Sequence, residues 1–116
     1  MKYVKYLALF IIVLISATII TTQASAHSPR YMKLNYTPDE LKVTILHFTF
    51  APKFHYIYKV DIDKNGAPVN SELYQSQPRL FFVIYKYNLT ASSGDVITVT
   101  ASCSLFGKIT RSLTVI

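Results

Sequence analysis

Two stretches of the chain alternate apolar and polar residues with a period of two, the pattern of a strand that buries one face. Residues 41–45 read Leu-Lys-Val-Thr-Ile, and residues 96–103 place apolar side chains and Cys103 on one face and hydroxyl side chains on the other. Other segments are rich in aromatic and β-branched residues, which favour strands, and turn residues separate them. The pattern predicts seven strands, near residues 32–36, 41–49, 55–62, 70–75, 80–90, 95–103 and 108–115.

Seven short strands with turn signals at such intervals are typical of an immunoglobulin-like sandwich. We therefore predict an all-β fold, an immunoglobulin-like antiparallel β-sandwich of about seven strands. The strongest hairpin signal is Asn65-Gly66, because both central positions of a type I′ turn take positive φ. After residue 26 no stretch has helical periodicity.

Residues 1–26 have the organisation of a secretory signal peptide. Lys2 and Lys5 precede an apolar run over residues 7–20, and Ala24-Ser25-Ala26 has the small-x-small cleavage pattern. The apolar run is shorter than the ~18–20 residues that span a bilayer as a helix. We expect cleavage after Ala26, export to the periplasm or the extracellular space, and no stable membrane association of the mature domain, residues 27–116. An uncleaved N-terminal anchor is the alternative.

Charge and cysteine content narrow the function classes. The chain has 12 basic and 6 acidic residues. The basic residues are scattered singly, without the stripe that tracks a phosphate backbone, so we expect no nucleic-acid binding. The single cysteine, Cys103, rules out an internal disulfide. Its thiol is therefore a reactive group, an intermolecular link, a metal ligand or a small buried side chain.

The chain's three histidines and its cysteine, His27, His47, His55 and Cys103, all lie after the expected cleavage point. Imidazole and thiolate are the usual ligands of iron, copper and zinc. His47 has the parity of the buried positions in its strand, His55 follows a proline loop, and Cys103 ends the inward face of its strand. Taken singly, each is more often a structural residue. Together they predict a metal site where strands meet loops.

Two segments carry a family resemblance. In residues 47–57 a proline loop leads from His47 into His55-Tyr56-Ile57, and residues 94–107 end in Cys103-Ser104-Leu105-Phe106-Gly107. The first segment resembles the histidine loop of the superoxide reductase (desulfoferrodoxin, neelaredoxin) iron domain. The second is similar to that family's closing strand and its Cys-Asn-Leu-His-Gly ligand turn. The resemblance covers roughly residues 40–116.

The resemblance implies a mononuclear iron held by four equatorial histidines and an axial cysteine thiolate, with the sixth position left for superoxide. By position, His47 and His55 match the loop histidines, Cys103 matches the thiolate, and His27 stands for the N-terminal ligand. The chain departs from the family at three points. Phe106 replaces the fourth histidine, the His47–His55 spacing is two residues longer, and the Glu-Lys pair before the N-terminal histidine is missing if His27 begins the mature protein.

These observations lead to three functional hypotheses. The first is an exported metalloenzyme that reduces superoxide with His47, His55 and Cys103 as its catalytic residues, iron as the expected metal, copper as the alternative, and an external protein as electron donor. The second is a non-enzymatic metal carrier or sensor that uses the same ligands. The third is a domain that binds protein partners through surplus aromatic residues, drawn from Phe48, Phe50, Phe54, Tyr58, Tyr74, Phe82, Tyr85 and Tyr87.

Other motifs carry less weight. Residues 61–72 match an EF-hand calcium loop letter for letter. That loop needs flanking helices, whereas strands are predicted here and Pro68 occupies its eighth position, so we favour a polar hairpin. No Gly-x-Ser-x-Gly motif supports serine-triad catalysis, and the acidic residues lie mainly in predicted turns.

Overall fold

The computed structural model describes residues 2–19 and 28–116. The expected cleavage motif and His27 therefore lie outside the described residues. The first described segment is one helix, α1 (Lys2–Ile19). Within the two described ranges, no helix is long and apolar enough to cross a membrane. The second segment contains seven strands: β1 (Tyr31–Thr37), β2 (Glu40–Leu46), β3 (Ile57–Lys64), β4 (Ala67–Leu73), β5 (Phe82–Asn88), β6 (Val96–Cys103) and β7 (Lys108–Thr114).

The strands form two antiparallel sheets, with the orders β1-β2-β5 and β4-β3-β6-β7. This arrangement confirms the predicted seven-stranded, immunoglobulin-like sandwich. The alternating residues of β2 and β6 bury their apolar sides completely, since Val43, Ile45, Ile97 and Val99 are all 0% exposed. The core therefore follows directly from the period-two pattern of these two strands.

The strand register brings three loops to one end of the sandwich. Leu46 at the end of β2 pairs with Phe82 at the start of β5, and Cys103 at the end of β6 pairs with Ile57 at the start of β3. Loops 47–56, 74–81 and 104–107 therefore meet at one end, which we call the loop rim. The chain also enters β1 at this end, because Tyr31 pairs with Leu46.

The predicted hairpin between β3 and β4 is confirmed. Asn65 and Gly66 have φ values of 53° and 81°, the left-handed backbone that a type I′ turn requires. The calcium-like motif thus lies on two strands. Its first carboxylate, Asp61, accepts a 2.7 Å hydrogen bond from Ser71 and lies 3.2 Å from the Lys59 ammonium. These contacts lower the Asp61 pKa, the serine hydrogen bond contributing most.

Candidate metal centre

The loop rim brings together three of the four predicted metal ligands. The ligand atoms of His47, His55 and Cys103 all lie within 4.8 Å of one another. The two imidazole rings meet edge to face, with centroids 4.5 Å apart and planes at 79°. His47 and Cys103 are 2% and 5% exposed, and His55 is half-buried. The cluster therefore lies at the edge of the core, with one side towards solvent.

His47 points inward because the alternation of β2 continues one step past the end of the strand. Its backbone N–H donates to the carbonyl of Phe81 at 2.9 Å, which holds it against the chain leading into β5. The predicted inward parity of His47 is confirmed. The strand itself ends at Leu46, three residues before the predicted boundary at residue 49. Backbone bonds continue beyond it, but the register is lost, since the Thr49 N–H donates to the Leu80 carbonyl at 2.8 Å.

A buried glutamine determines which nitrogen of His47 carries the proton. The side-chain nitrogen of Gln77 donates to the carbonyls of His47 and Arg79 at 2.8 and 2.7 Å. Because carbonyls only accept, the amide orientation is set, and its Oε1 faces His47 Nδ1 at 2.7 Å. Nδ1 must therefore be the donor in this contact. In the neutral ring the lone pair then belongs to Nε2, the form that a metal ligand needs.

Gln77 is also tied to the histidine loop through its backbone, since its N–H donates to the Pro52 carbonyl at 2.9 Å. Sequence reasoning missed this residue. A single glutamine in a turn has no local signature, and its partner His47 lies 30 residues away.

Ser104 joins the two other ligands. Its hydroxyl donates to the Phe54 carbonyl at 2.9 Å and accepts from the Tyr56 N–H at 3.1 Å, so it bonds to the backbone on either side of His55. Its own N–H donates to the Tyr56 carbonyl at 2.8 Å. Ser104 directly follows Cys103, and these bonds fasten the His55 segment to the end of β6. This second positioning residue was also missed.

The turn after Cys103 depends on a glycine. The Cys103 N–H donates to the Gly107 carbonyl at 2.9 Å, and Gly107 has a φ of 85°. A Cβ at this position would collide with the side chain of Ser28. The first described residue of the sandwich segment therefore packs beside the cysteine turn.

The donors fit a single metal ion. Two ligand atoms bound to one ion at ~2.0–2.3 Å can lie at most ~4.6 Å apart. The observed limit of 4.8 Å is close to that value. Two imidazoles and one thiol are a set that iron, copper and zinc all accept. Small side-chain rotations would therefore suffice for His47, His55 and Cys103 to share one ion.

Phe106, at the position of the family's fourth histidine, offers no ligand atom. Phe106 is 57% exposed. His27 lies outside the described residues, and the structure shows Ser28 next to Gly107.

The loop rim is cationic. Loops 47–56, 74–81 and 104–107 contain Lys53 and Arg79 but no aspartate or glutamate. Arg30 enters the rim from the N-terminal side, and Lys108 begins β7. Basic groups that outnumber acidic ones around a site raise the local concentration of small anions.

No protein-family model and no curated protein sequence matches the chain. Among solved structures, it is similar to two variants of superoxide reductase (neelaredoxin) from Ignicoccus hospitalis. One is 14% identical over 82% of this chain and 85% of that chain, with a TM-score of 0.49. The other is 13% identical over 81% and 86%, with a TM-score of 0.47. Superoxide reductase from Nanoarchaeum equitans is 16% identical over 76% and 93%, with a TM-score of 0.42.

Proposed function

We propose that this protein is an exported mononuclear metalloprotein that reduces superoxide at a centre ligated by His47, His55 and Cys103. The observation that carries the proposal is the convergence of these three donors within 4.8 Å, from the ends of three different strand connections. Iron is the proposed metal and copper the alternative. The family resemblance of residues 47–57 and 94–107 supports iron and superoxide.

The proposed reaction consumes one superoxide anion, one electron and two protons, and forms hydrogen peroxide. A bound ferrous ion would supply the electron and an open coordination position. An external donor protein would then restore the reduced state, since the chain has no second metal motif such as Cys-x-x-Cys. The cationic rim, with Lys53 and Arg79 on its loops, favours the approach of the anionic substrate.

Each site residue has a distinct role in this proposal. Cys103 provides the thiolate, and because it is nearly buried its sulfur is protected from bulk oxidants. His47 binds through Nε2, with its ring held by Gln77. His55 binds from the half-buried side of the cluster. We propose His27 as a fourth ligand, supported by Ser28 lying beside the turn that follows Cys103.

Anaerobic titration of the metal-free protein with Fe(II) and with Cu(I) tests the centre. We expect one equivalent of iron to bind and, on oxidation, a thiolate-to-ferric charge-transfer band. Cys103→Ser should abolish that band, whereas Ser102→Ala, one residue away, should retain it. An iron-loaded protein without the band, or a band that survives Cys103→Ser, would contradict thiolate ligation.

Superoxide decay after pulse radiolysis tests the activity separately. The iron-loaded protein should accelerate the decay in proportion to its concentration, with peroxide formed and without evolution of dioxygen. Decay at the spontaneous rate would refute the enzymatic function and leave the metal site standing.

A carrier or sensor function is the second candidate. It is favoured by the small number of ligands. Within the described ranges only three donors converge, and the exposed Phe106 stands at the position of the family's fourth histidine. A carrier needs no open position for substrate. Tight, reversible metal binding without superoxide turnover would support it.

Export is proposed from the sequence features of residues 1–26. Determination of the N-terminal residue of the protein recovered from outside the cytoplasm tests it. We expect His27 as the first residue if cleavage follows Ala26.

A further inference from the structure

The loop rim exposes an unusual number of large apolar side chains. Each of its three loops contributes a pair, with exposures from 45% to 86%: Phe50 and Phe54, Leu80 and Phe81, Leu105 and Phe106. Phe50 and Phe54 are 86% and 77% exposed. The loops of the opposite rim, residues 38–39, 65–66 and 89–95, contain one large hydrophobic residue, Leu89, which is half-buried, and the C-terminal Ile116 is exposed beside them. Exposed apolar surface of this extent marks an interaction site.

The two rims also differ in charge. The loop rim carries Arg30, Lys53, Arg79 and Lys108, and its loops contain no acidic residue. The loops of the opposite rim contain Asp39 and Asp95, and the ammonium of Lys64 at the end of β3 donates to the Thr90 carbonyl there at 3.0 Å. The molecule therefore has one end that is both apolar and cationic. A partner surface that matches this end is apolar beneath an anionic layer.

The chain also reaches the sandwich at the loop rim. Ser28 packs against Gly107, and Tyr31 begins β1 beside Leu46. Only eight residues separate Ser28 from the end of α1 at Ile19. They span at most ~30 Å when fully extended. The large hydrophobic side chains of α1 from Tyr3 to Leu14 are exposed. In the uncleaved alternative, this second strongly apolar element is therefore tethered to the same end of the sandwich.

We propose that the loop rim docks on the surface of an anionic phospholipid bilayer. Phe50, Phe54 and Phe106 enter the interface between headgroups and acyl chains, and Lys53 and Arg79 contact the phosphates. Apolar insertion combined with basic residues is the mode in which peripheral proteins recognise anionic lipids. The exposed apolar side chains and the basic residues of the loop rim favour a bilayer in the processed protein as well, and in the uncleaved alternative α1 would also hold this end of the sandwich at the membrane. Such docking differs from the expectation that the mature domain has no stable membrane association. It does not require a bound metal, and it would compete with superoxide for the loop rim, because Lys53 and Arg79 would then contact lipid phosphates.

A single tryptophan can report the docking, because the chain contains none. Phe50→Trp places the reporter at the loop rim, at an exposed residue that is not a proposed metal ligand. Ser93→Trp places the matched control in an exposed loop of the opposite rim. Each full-length variant is mixed with phosphatidylcholine vesicles, or with vesicles that also contain phosphatidylglycerol, both prepared with lipids brominated on the acyl chains. Tryptophan emission and its quenching by bromine are measured.

With anionic vesicles, the Phe50→Trp emission should shift to the blue and be quenched, and that of Ser93→Trp should remain that of a water-exposed ring. The shift should weaken when phosphatidylglycerol is omitted or salt is raised. Adding Phe54→Ser to the Phe50→Trp chain should lower the affinity for vesicles about tenfold, the cost of withholding one phenylalanine from an apolar phase. An unchanged Phe50→Trp spectrum would refute the proposal and leave this surface to a protein partner. Equal quenching at both positions would also refute it, because α1 alone would then account for binding.

Discussion

Replacement of Gln77 by methionine isolates the part of the site that prepares His47 for a metal. The methionine side chain has a similar length to that of glutamine, but it donates no hydrogen bond and accepts only weak ones. The change removes the contact of Oε1 with His47 Nδ1 and the two bonds from the amide nitrogen to the carbonyls of His47 and Arg79. Because Gln77 is 3% exposed, water does not readily replace these partners.

The size of the effect follows from these three bonds. Each contributes ~1 kcal/mol net, and more where a buried group is left unsatisfied, so we expect the free energy of unfolding to fall by ~3 kcal/mol. A typical domain of this size would remain folded. Loss of the group that orients a metal-binding histidine costs ~10–100-fold in affinity. We therefore expect the dissociation constant for Fe(II) or Zn(II) to rise by that factor.

Two measurements separate positioning from general damage. Nitrogen-15 spectra of the imidazole rings should show His47 protonated at Nδ1 in the wild-type protein and a mixture of tautomers in Gln77→Met. Competitive metal titration should show the loss of affinity. Gln75→Met, the same change at an exposed position two residues away, should alter neither. An unchanged tautomer and unchanged affinity in Gln77→Met would refute the assigned role, whereas an absence of metal binding in the wild type would refute only the proposed function.

Three further predictions concern the frame of the site. Ser104→Ala should lower the unfolding free energy by ~1–2 kcal/mol and weaken metal binding, because two hydrogen bonds beside His55 are lost. Thermal unfolding with and without metal tests this prediction. If metal raised the melting temperature of Ser104→Ala as much as that of the wild type, the prediction would be wrong. Gly107→Ala should lower the free energy of unfolding by ~1–3 kcal/mol. Adding Ser28→Gly should restore part of this loss, because it removes the side chain that the new Cβ would collide with, and a double-mutant cycle measures the effect. Burial raises the pKa of Tyr85 to about 12, above its value of 10.0 in the unfolded chain, so stability should fall as pH rises between these values. Tyr85→Phe should reduce that loss and raise stability near neutrality, because the Tyr85 hydroxyl is buried with no hydrogen-bond partner in the described part of the chain; chemical unfolding across this pH range tests both.

The local pattern of apolar and polar residues was sufficient to predict the sandwich. Alternation in residues 41–45 and 96–103 sets which side of each strand is buried, and that is a property of neighbouring residues. The Asn65-Gly66 turn is likewise specified by the φ preferences of two residues. The predicted strand overran at residues 47–49, because the pairing there shifts out of register against residues 80–81, and that partner segment is distant in sequence.

The inward parity of His47 and Cys103 could also be read from the sequence, but their proximity could not. It arises from the pairing of Ile57 with Cys103 and from the passage of loop 47–56 between the sheets. The roles of Gln77 and Ser104 depend on partners about 30 and 50 residues away, and neither residue belongs to a motif. Residue types and local periodicity thus determined the sandwich and the donors available to it. Only the tertiary structure decided which groups orient those donors, because hydrogen bonds between distant segments follow from register and loop path.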